Sequence, residues 1–175
     1  AVKFLWTIAF GRLHKDRPVS LLDNTPLYSL LERELMLSRI SEVIDKGYLD
    51  ALCITASGYS SGESVSFFQG KKELDGWKRA RRVGIHTDIN IEHLMASAAI
   101  PLLFPAVHIN REYFGDGAMR QLAPISPALH LGAEKVLVIG VSSDGEKAVR
   151  EKTDGYPSIA QVVTNILNSS FIDSL

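Results

Sequence analysis

Two hydrophobic rhythms run along this chain, one of helical period and one of strand type, and the changes between them predict its elements. Asp23-Asn24-Thr25-Pro26 reads as a turn into a helix, with Pro26 near the first helical position, where a missing N–H costs nothing. Leu27, Leu30, Leu31 and Leu35 form the stripe that this helix is expected to bury. A second helix is predicted over residues 38–46, ending at Gly47, a residue that readily takes the left-handed cap conformation. Residues 49–56, 65–68 and 82–86 read as strands, and their succession predicts a local antiparallel meander. Asn90 can cap a helix over residues 91–99, which Pro101 ends. Tyr113-Phe114 is a short strand running into Gly115-Asp116-Gly117. Residues 124–131 read as a helix stopped by Gly132, and residues 135–141 as the clearest buried strand of the chain. A helix followed at once by such a strand is an α/β signature. Residues 142–156 are polar, carry two Asp-Gly pairs and are expected to form a mobile loop.

The two ends of the pattern are abrupt. An apolar series (Val2, Leu5, Trp6, Ala9, Phe10) begins with no cap residue ahead of it, and residue 1 is not methionine. Ile159, Val162, Val163, Ile166, Leu167 and Phe171 follow the spacing of an amphipathic helix that Ser158 can cap, with no Gly or Pro to close it. Both ends read as cut. The expectation is one partial domain over residues 1–175, with apolar ends left exposed or paired with another copy in a homo-oligomer.

Composition narrows the class. A chain of 175 residues is long enough to bury a core without staples. Cys53 is the single cysteine, which excludes an internal disulfide framework and a cysteine zinc cluster. With 19 basic and 20 acidic residues there is no global charge for wrapping nucleic acid. The longest weakly polar run, residues 94–109, is broken by Pro101 and Pro105 and falls short of the roughly 20 apolar residues that a spanning helix needs. No signal-peptide pattern opens the chain, so a cytoplasmic location, with peripheral membrane contact as an option, is expected. Lys71, Lys72, Lys78, Arg79, Arg81 and Arg82 cluster around Trp77; the cluster reads as a solvated face, or as one that meets a phosphate-rich surface such as a membrane.

Two motifs bear on chemistry. Gly58-Tyr59-Ser60-Ser61-Gly62 matches the G-x-S-x-G nucleophile elbow, which works by exposing serine on a sharp strand-to-helix turn. Here the next segment is strand again, so the stretch reads as a hairpin loop and Ser60 as a decoy. Asp116, between Gly115 and Gly117, is the other candidate. It is one of four Asp-Gly pairs, with Asp75, Asp144 and Asp154, but the only one between apolar segments, where a partly buried carboxylate can act as a base. His14, His86, His93, His108 and His130 show no metal-ligand spacing and are expected mostly at the surface or behind a site; no metal and no cofactor is indicated. No Walker loop or G-x-G-x-x-G occurs.

Taken together, these segments resemble the patatin-like phospholipase family of bacterial type. Residues 93–105, with Ala96-Ser97-Ala98-Ala99-Ile100-Pro101 and Phe104-Pro105, resemble its A-S-x-A-I-P-x-x-F-P stretch. Gly115-Asp116-Gly117-Ala118 follows like its D-G-[GA] motif, and Pro124, Pro127 and residues 131–139 resemble its P-x-x-x-A-x-x-L-G-A-[DE] segment and the next strand. Residues 22–27 and residues 54–67 fit upstream, so the likeness covers nearly the whole chain in order.

The resemblance implies an α/β sandwich with a mainly parallel central sheet flanked by helices, present here as the C-terminal portion of the catalytic domain. It implies hydrolysis of lipid or other acyl esters by a serine–aspartate dyad, with Asp116 as the dyad base and Gly115, Gly117, Ala118 and Pro101 supporting the motif. The family's serine elbow and glycine-rich oxyanion loop have no counterpart in this sequence, so the chain alone is expected to be inactive. The alternative from another class is a non-catalytic module of the same fold that docks on a partner or membrane.

Overall fold

A computed structural model describes residues 20–121 and 123–139. The predicted helix at residues 159–171, the apolar series before residue 11 and the polar stretch 142–156 lie outside the described residues. The chain divides into two compact units, one through Arg120 and one from Gln121.

The first unit is a six-stranded sheet with helices on one face. In chain order it runs α1 (Thr25–Glu34), α2 (Arg39–Asp45), β1 (Ala51–Gly58), β2 (Ser64–Gly70), β3 (Trp77–Arg79), β4 (Arg82–His86), α3 (Ile91–Ser97), β5 (Val107–Ile109), β6 (Glu112–Asp116) and a 3-10 turn (Gly117–Arg120). The sheet order is β3-β4-β2-β1-β6-β5. Side chains alternate between its faces. Ile54 and Ala56 stand opposite Phe67 and Val65 on one face, and Phe114 joins them across from Gly58. These side chains, with Ile89, Ala96 and Ile109, form the core. The other face carries Thr55, Ser57, Ser64 and Ser66, and the three serines are buried there.

The α/β class holds, but among the described residues the sheet is mixed rather than mainly parallel. β2 and β4 are its parallel pair; the other four pairings are antiparallel. The reason is connection length, because a short turn joins β1 to β2 and another joins β5 to β6, and such turns force antiparallel neighbours. The predicted meander is corrected by β3. After Gly70 the chain passes to the sheet edge, lays down β3, and turns at Ala80-Arg81 so that β4 enters between β3 and β2. Lys78 and Arg79 hid this strand in a charge run, although charged side chains are what an edge strand carries to deter further pairing. Trp77 fixes it: its ring lies against Gly84, where a Cβ would collide, and stacks on Phe68 with centroids 5.3 Å apart.

Local signals were accurate at several helix ends. α2 stops where Gly47 takes φ +75°, and Pro26 sits in the first turn of α1. The leucine stripe of α1, however, is not buried; Leu30 and Leu35 are exposed and no residue of α1 is fully enclosed. α3 already occupies the sheet face, so α1 rests chiefly on α3 instead of on strands. In the second unit, α4 (Ser126–His130) ends before Gly132 at φ +91°. The predicted strand after it is not formed over residues 135–139, and Leu137 and Ile139 are 86% and 87% exposed. An apolar run becomes a buried strand only where a sheet supplies ladder partners, and these residues have none among those described.

α3 packs on β1, β5 and β6. Asn90 caps it as predicted: its side chain accepts the His93 N–H at 3.2 Å, while the His93 Nδ1 accepts the Asn90 N–H at 3.1 Å. This is a capping box with histidine in the place usually held by Glu or Gln. Of the two places expected for the histidines, the surface or behind a site, His93 is not at the surface: it is only 4% exposed and its ring lies 4.5 Å from that of Phe67. Burial holds its imidazole below the ordinary range, against a smaller opposite pull from Glu92. A depressed histidine pKa gives stability that is present above about pH 6.5 and lost as pH falls, because the unfolded chain takes the proton first. The urea midpoint of the parent is therefore expected to drop relative to that of His93→Gln between pH 7 and 5, since glutamine keeps the reciprocal cap and cannot titrate.

Candidate active site

Asp116 ends β6 opposite Ala56 of β1, on the face that carries α3. Its backbone N–H donates to the Ala99 carbonyl at 3.0 Å, which ties the strand end to the segment leaving α3. That segment is released from the helix at Pro101, which has no N–H to continue it. Leu102 follows in the left-handed region at φ +66°, and the Leu102 and Leu103 carbonyls accept N–H groups from Leu21 and Leu22 at 2.8 and 2.9 Å. Pro101 thus stands two residues after the Ala99 carbonyl that holds the Asp116 N–H.

The two glycines serve close approach. Neither Gly115 nor Gly117 has positive φ. A Cβ on Gly117 would collide with the Thr55 carbonyl oxygen, and one on Gly115 would come within 2.7 Å of the Tyr59 hydroxyl oxygen. The reason for both glycines is packing: β6 lies so near β1 and Tyr59 that neither site has room for a side chain.

The Asp116 carboxylate is half-buried. Its Oδ1 accepts the Ala118 N–H at 2.9 Å, which favours the charge, but burial is the stronger influence and holds the carboxyl above its usual range. Ala118 is the motif residue whose backbone does this. Tyr59 shares the environment: burial, then the Asp116 charge, pushes its phenol up. The sequence reading missed Tyr59, which lies inside the decoy motif and reaches Gly115 only through strand pairing.

Three serines of β1 and the loop after it have partners or a face of their own. Gly58–Gly62 is a hairpin loop between two strands, and the Ser60 and Ser61 N–H groups donate to Glu112 Oε1 at 2.7 and 2.6 Å. Glu112 stands four residues before Asp116, roughly 13 Å along the strand. Ser57 pairs with Gly115, so its side chain shares that residue's face and not that of Asp116. It is 3% exposed, and its Oγ has no hydrogen-bond partner among the described residues. The Cys53 thiol is pushed up to about 11 by burial and stays protonated at neutral pH. Among the described residues no three His, Cys, Asp or Glu side chains are placed to hold a metal ion, and no helix is long and apolar enough to cross a membrane.

Two outcomes follow for stability. Gly117→Ala, forced against a backbone carbonyl, is expected to cost about 1–3 kcal/mol in urea unfolding. Asp116→Asn is expected to melt at or above the parent at pH 7, because it removes a half-buried charge and still offers an oxygen to Ala118. A raised carboxyl pKa favours the fold only while protonated, so this advantage should vanish as pH falls through the carboxylate range.

No curated protein and no solved structure matches the chain. The family model described as Patatin-like phospholipase matches residues 10–129, a span that includes every strand of the sheet, α3, the Pro101 segment and the Asp116 motif. The match covers well over half of the sequence, and the chain belongs to the patatin-like phospholipase family.

Proposed function

We propose that this chain supplies the basic half of a serine–aspartate dyad that hydrolyses lipid acyl esters, with Asp116 as the base. The observation that carries the reading is the state of that carboxylate: half-buried, fixed by the Ala118 N–H, and held above its usual range by burial. An exposed carboxylate near pKa 3.9 is a weak base, and partial desolvation makes it a better one. Family membership supports ester hydrolysis as the chemistry and lipids as the substrate class.

In the proposed reaction a serine hydroxyl attacks the ester carbonyl and its proton passes to Asp116. The tetrahedral intermediate collapses, the ester C–O bond breaks, and the proton goes to the departing alcohol. Water then adds to the acyl-enzyme with Asp116 again taking a proton, and the fatty acid leaves as serine is restored. The hairpin geometry of Gly58–Gly62 favours a nucleophile on an elbow outside these 175 residues, together with the loop that holds the oxyanion. Such backbone donors commonly supply about 3–4 kcal/mol each to the transition state.

The second reading, a non-catalytic module of the same fold, draws on the same hairpin and on the pairing that turns Ser57 to the face opposite that of Asp116. The coding sequence upstream separates the two, since a glycine-rich loop and a G-x-S-x-G elbow there belong to the enzyme alone. For the 175-residue chain the expected result is no hydrolysis of a short-chain ester and no labelling by a fluorophosphonate. Turnover that disappears with Ser60→Ala would overturn the decoy assignment. In a protein that also carries the elbow, Asp116→Asn is expected to lower hydrolysis by at least 100-fold, with the fold intact by circular dichroism; retained activity would remove Asp116 from the reaction.

A further inference from the structure

Strand direction gathers arginines at one end of the sheet. β1, β3 and β5 run toward that end, and β2, β4 and β6 run away from it. The Gly58–Gly62 loop, the Ala80-Arg81 turn and the Asn110-Arg111 turn therefore emerge side by side. Arg79 and Arg82 stand directly opposite each other, Arg81 occupies the first turn at φ +59°, and Arg111 occupies the second. Arg120 reaches the same end, its guanidinium lying 3.6 Å from where a Cβ on Gly62 would be. Arg79, Arg81, Arg111 and Arg120 are all exposed. Five arginines thus line a rim that spans six strands, about 24 Å at the usual strand spacing.

This rim is not an ordinary solvated face. Like charges placed directly opposite, as at Arg79 and Arg82, oppose strand pairing. One neighbouring carboxylate, Glu112, is already engaged by the Ser60 and Ser61 N–H groups. Two tyrosines stand among the arginines with half their surface open, Tyr59 at 48% and Tyr113 at 55%. The chain as a whole carries a formal charge of −1, so the positive field is local to this end.

We propose that this arginine–tyrosine rim docks on an anionic lipid surface. Guanidinium groups pair with phosphate through two parallel N–H bonds, and tyrosine rings settle at the boundary between headgroups and hydrocarbon. Tyr59 links the rim to the site described above, since it is open at this end and close enough to Asp116 to feel its charge. The choice of lipid over other polyanions rests on the hydrolase reading; the positive rim itself does not.

The test is sedimentation of the 175-residue chain with vesicles of ether-linked lipids, which contain no ester to cleave. Binding is expected to vesicles containing dialkyl phosphatidylglycerol, not to pure dialkyl phosphatidylcholine, and is expected to be lost at 0.5 M salt, roughly. Arg79→Gln with Arg81→Asn is expected to reduce partition about 25-fold, near fivefold per arginine, and Arg111→Gln with Arg120→Gln to do the same. Lys71→Gln with Lys72→Gln, at the opposite sheet end, is expected to change it less than about twofold. Equal binding to both vesicle types, no binding to either, or undiminished binding by both folded arginine variants would overturn the proposal, as would a preference for single-stranded nucleic acid over the anionic vesicles. Because no turnover is measured, these results are independent of the hydrolase reading: binding without ester hydrolysis in the elbow-carrying protein would leave the rim standing and remove the reaction.

Discussion

The close approach of β6 to β1 is the constraint on which the rest of the structure turns. Three residue pairs hold the two strands together, Ala56 with Asp116, Ser57 with Gly115 and Gly58 with Phe114. Immediately beyond them Gly117 lies against the Thr55 carbonyl, where no side chain fits. This short contact carries β5 with it at the sheet edge, brings Phe114 into the core beside Phe67 and sets Asp116 beneath the end of α3. A longer pairing would bury Asp116 within the ladder, and a looser one would leave it in water. The observed register places it between those limits, where desolvation raises its pKa without removing it from reach.

The features legible in the sequence were those written in adjacent residues. Pro26, Gly47, Asn90 and Gly132 act on the turn of chain beside them, and each was readable from its own chemistry. Asp116 was legible as a candidate because its neighbours are apolar, and the family resemblance gave it a role to propose. What surrounds it was not legible. The Ala99 carbonyl and the Tyr59 ring come from residues 17 and 57 positions away in sequence, and only the fold brings them in. β3 was hidden for a related reason, since its charges suit an edge that the sequence cannot reveal until the sheet order is known. The apolar run at residues 135–139 is the converse case, with strand composition and no ladder partner among the described residues. Composition specifies a readiness to pair, and topology decides whether pairing happens.

The hairpin at Gly58–Gly62 shows why a motif needs its structural setting. Its glycines and serines satisfy the elbow pattern, yet their spacing serves a reversal between β1 and β2, with Gly62 at φ +67° and the loop amides closed on Glu112. An elbow aims a serine oxygen outward from a strand-to-helix turn; this loop instead commits its backbone donors to a carboxylate of the neighbouring strand. The same five residues contribute Tyr59, whose ring packs on Gly115. The loop therefore helps to shape the aspartate's surroundings through Tyr59.

β6 consequently joins two regions of opposite electrostatic character. Its first residue, Glu112, is bound into the loop at the arginine-lined end, and its last, Asp116, is the half-buried carboxylate. One five-residue strand runs from a positive, solvent-facing rim to a partly desolvated acid. On the proposed reading this separation is useful because the two ends need opposite environments: phosphate recognition works with exposed guanidinium groups, whereas a carboxylate base works only if water and cations are kept from it. Placing arginine directly beside Asp116 would stabilise its charge, lower its pKa and weaken it as a base. A strand of this length keeps the cations at the rim and leaves Asp116 under the influence of burial.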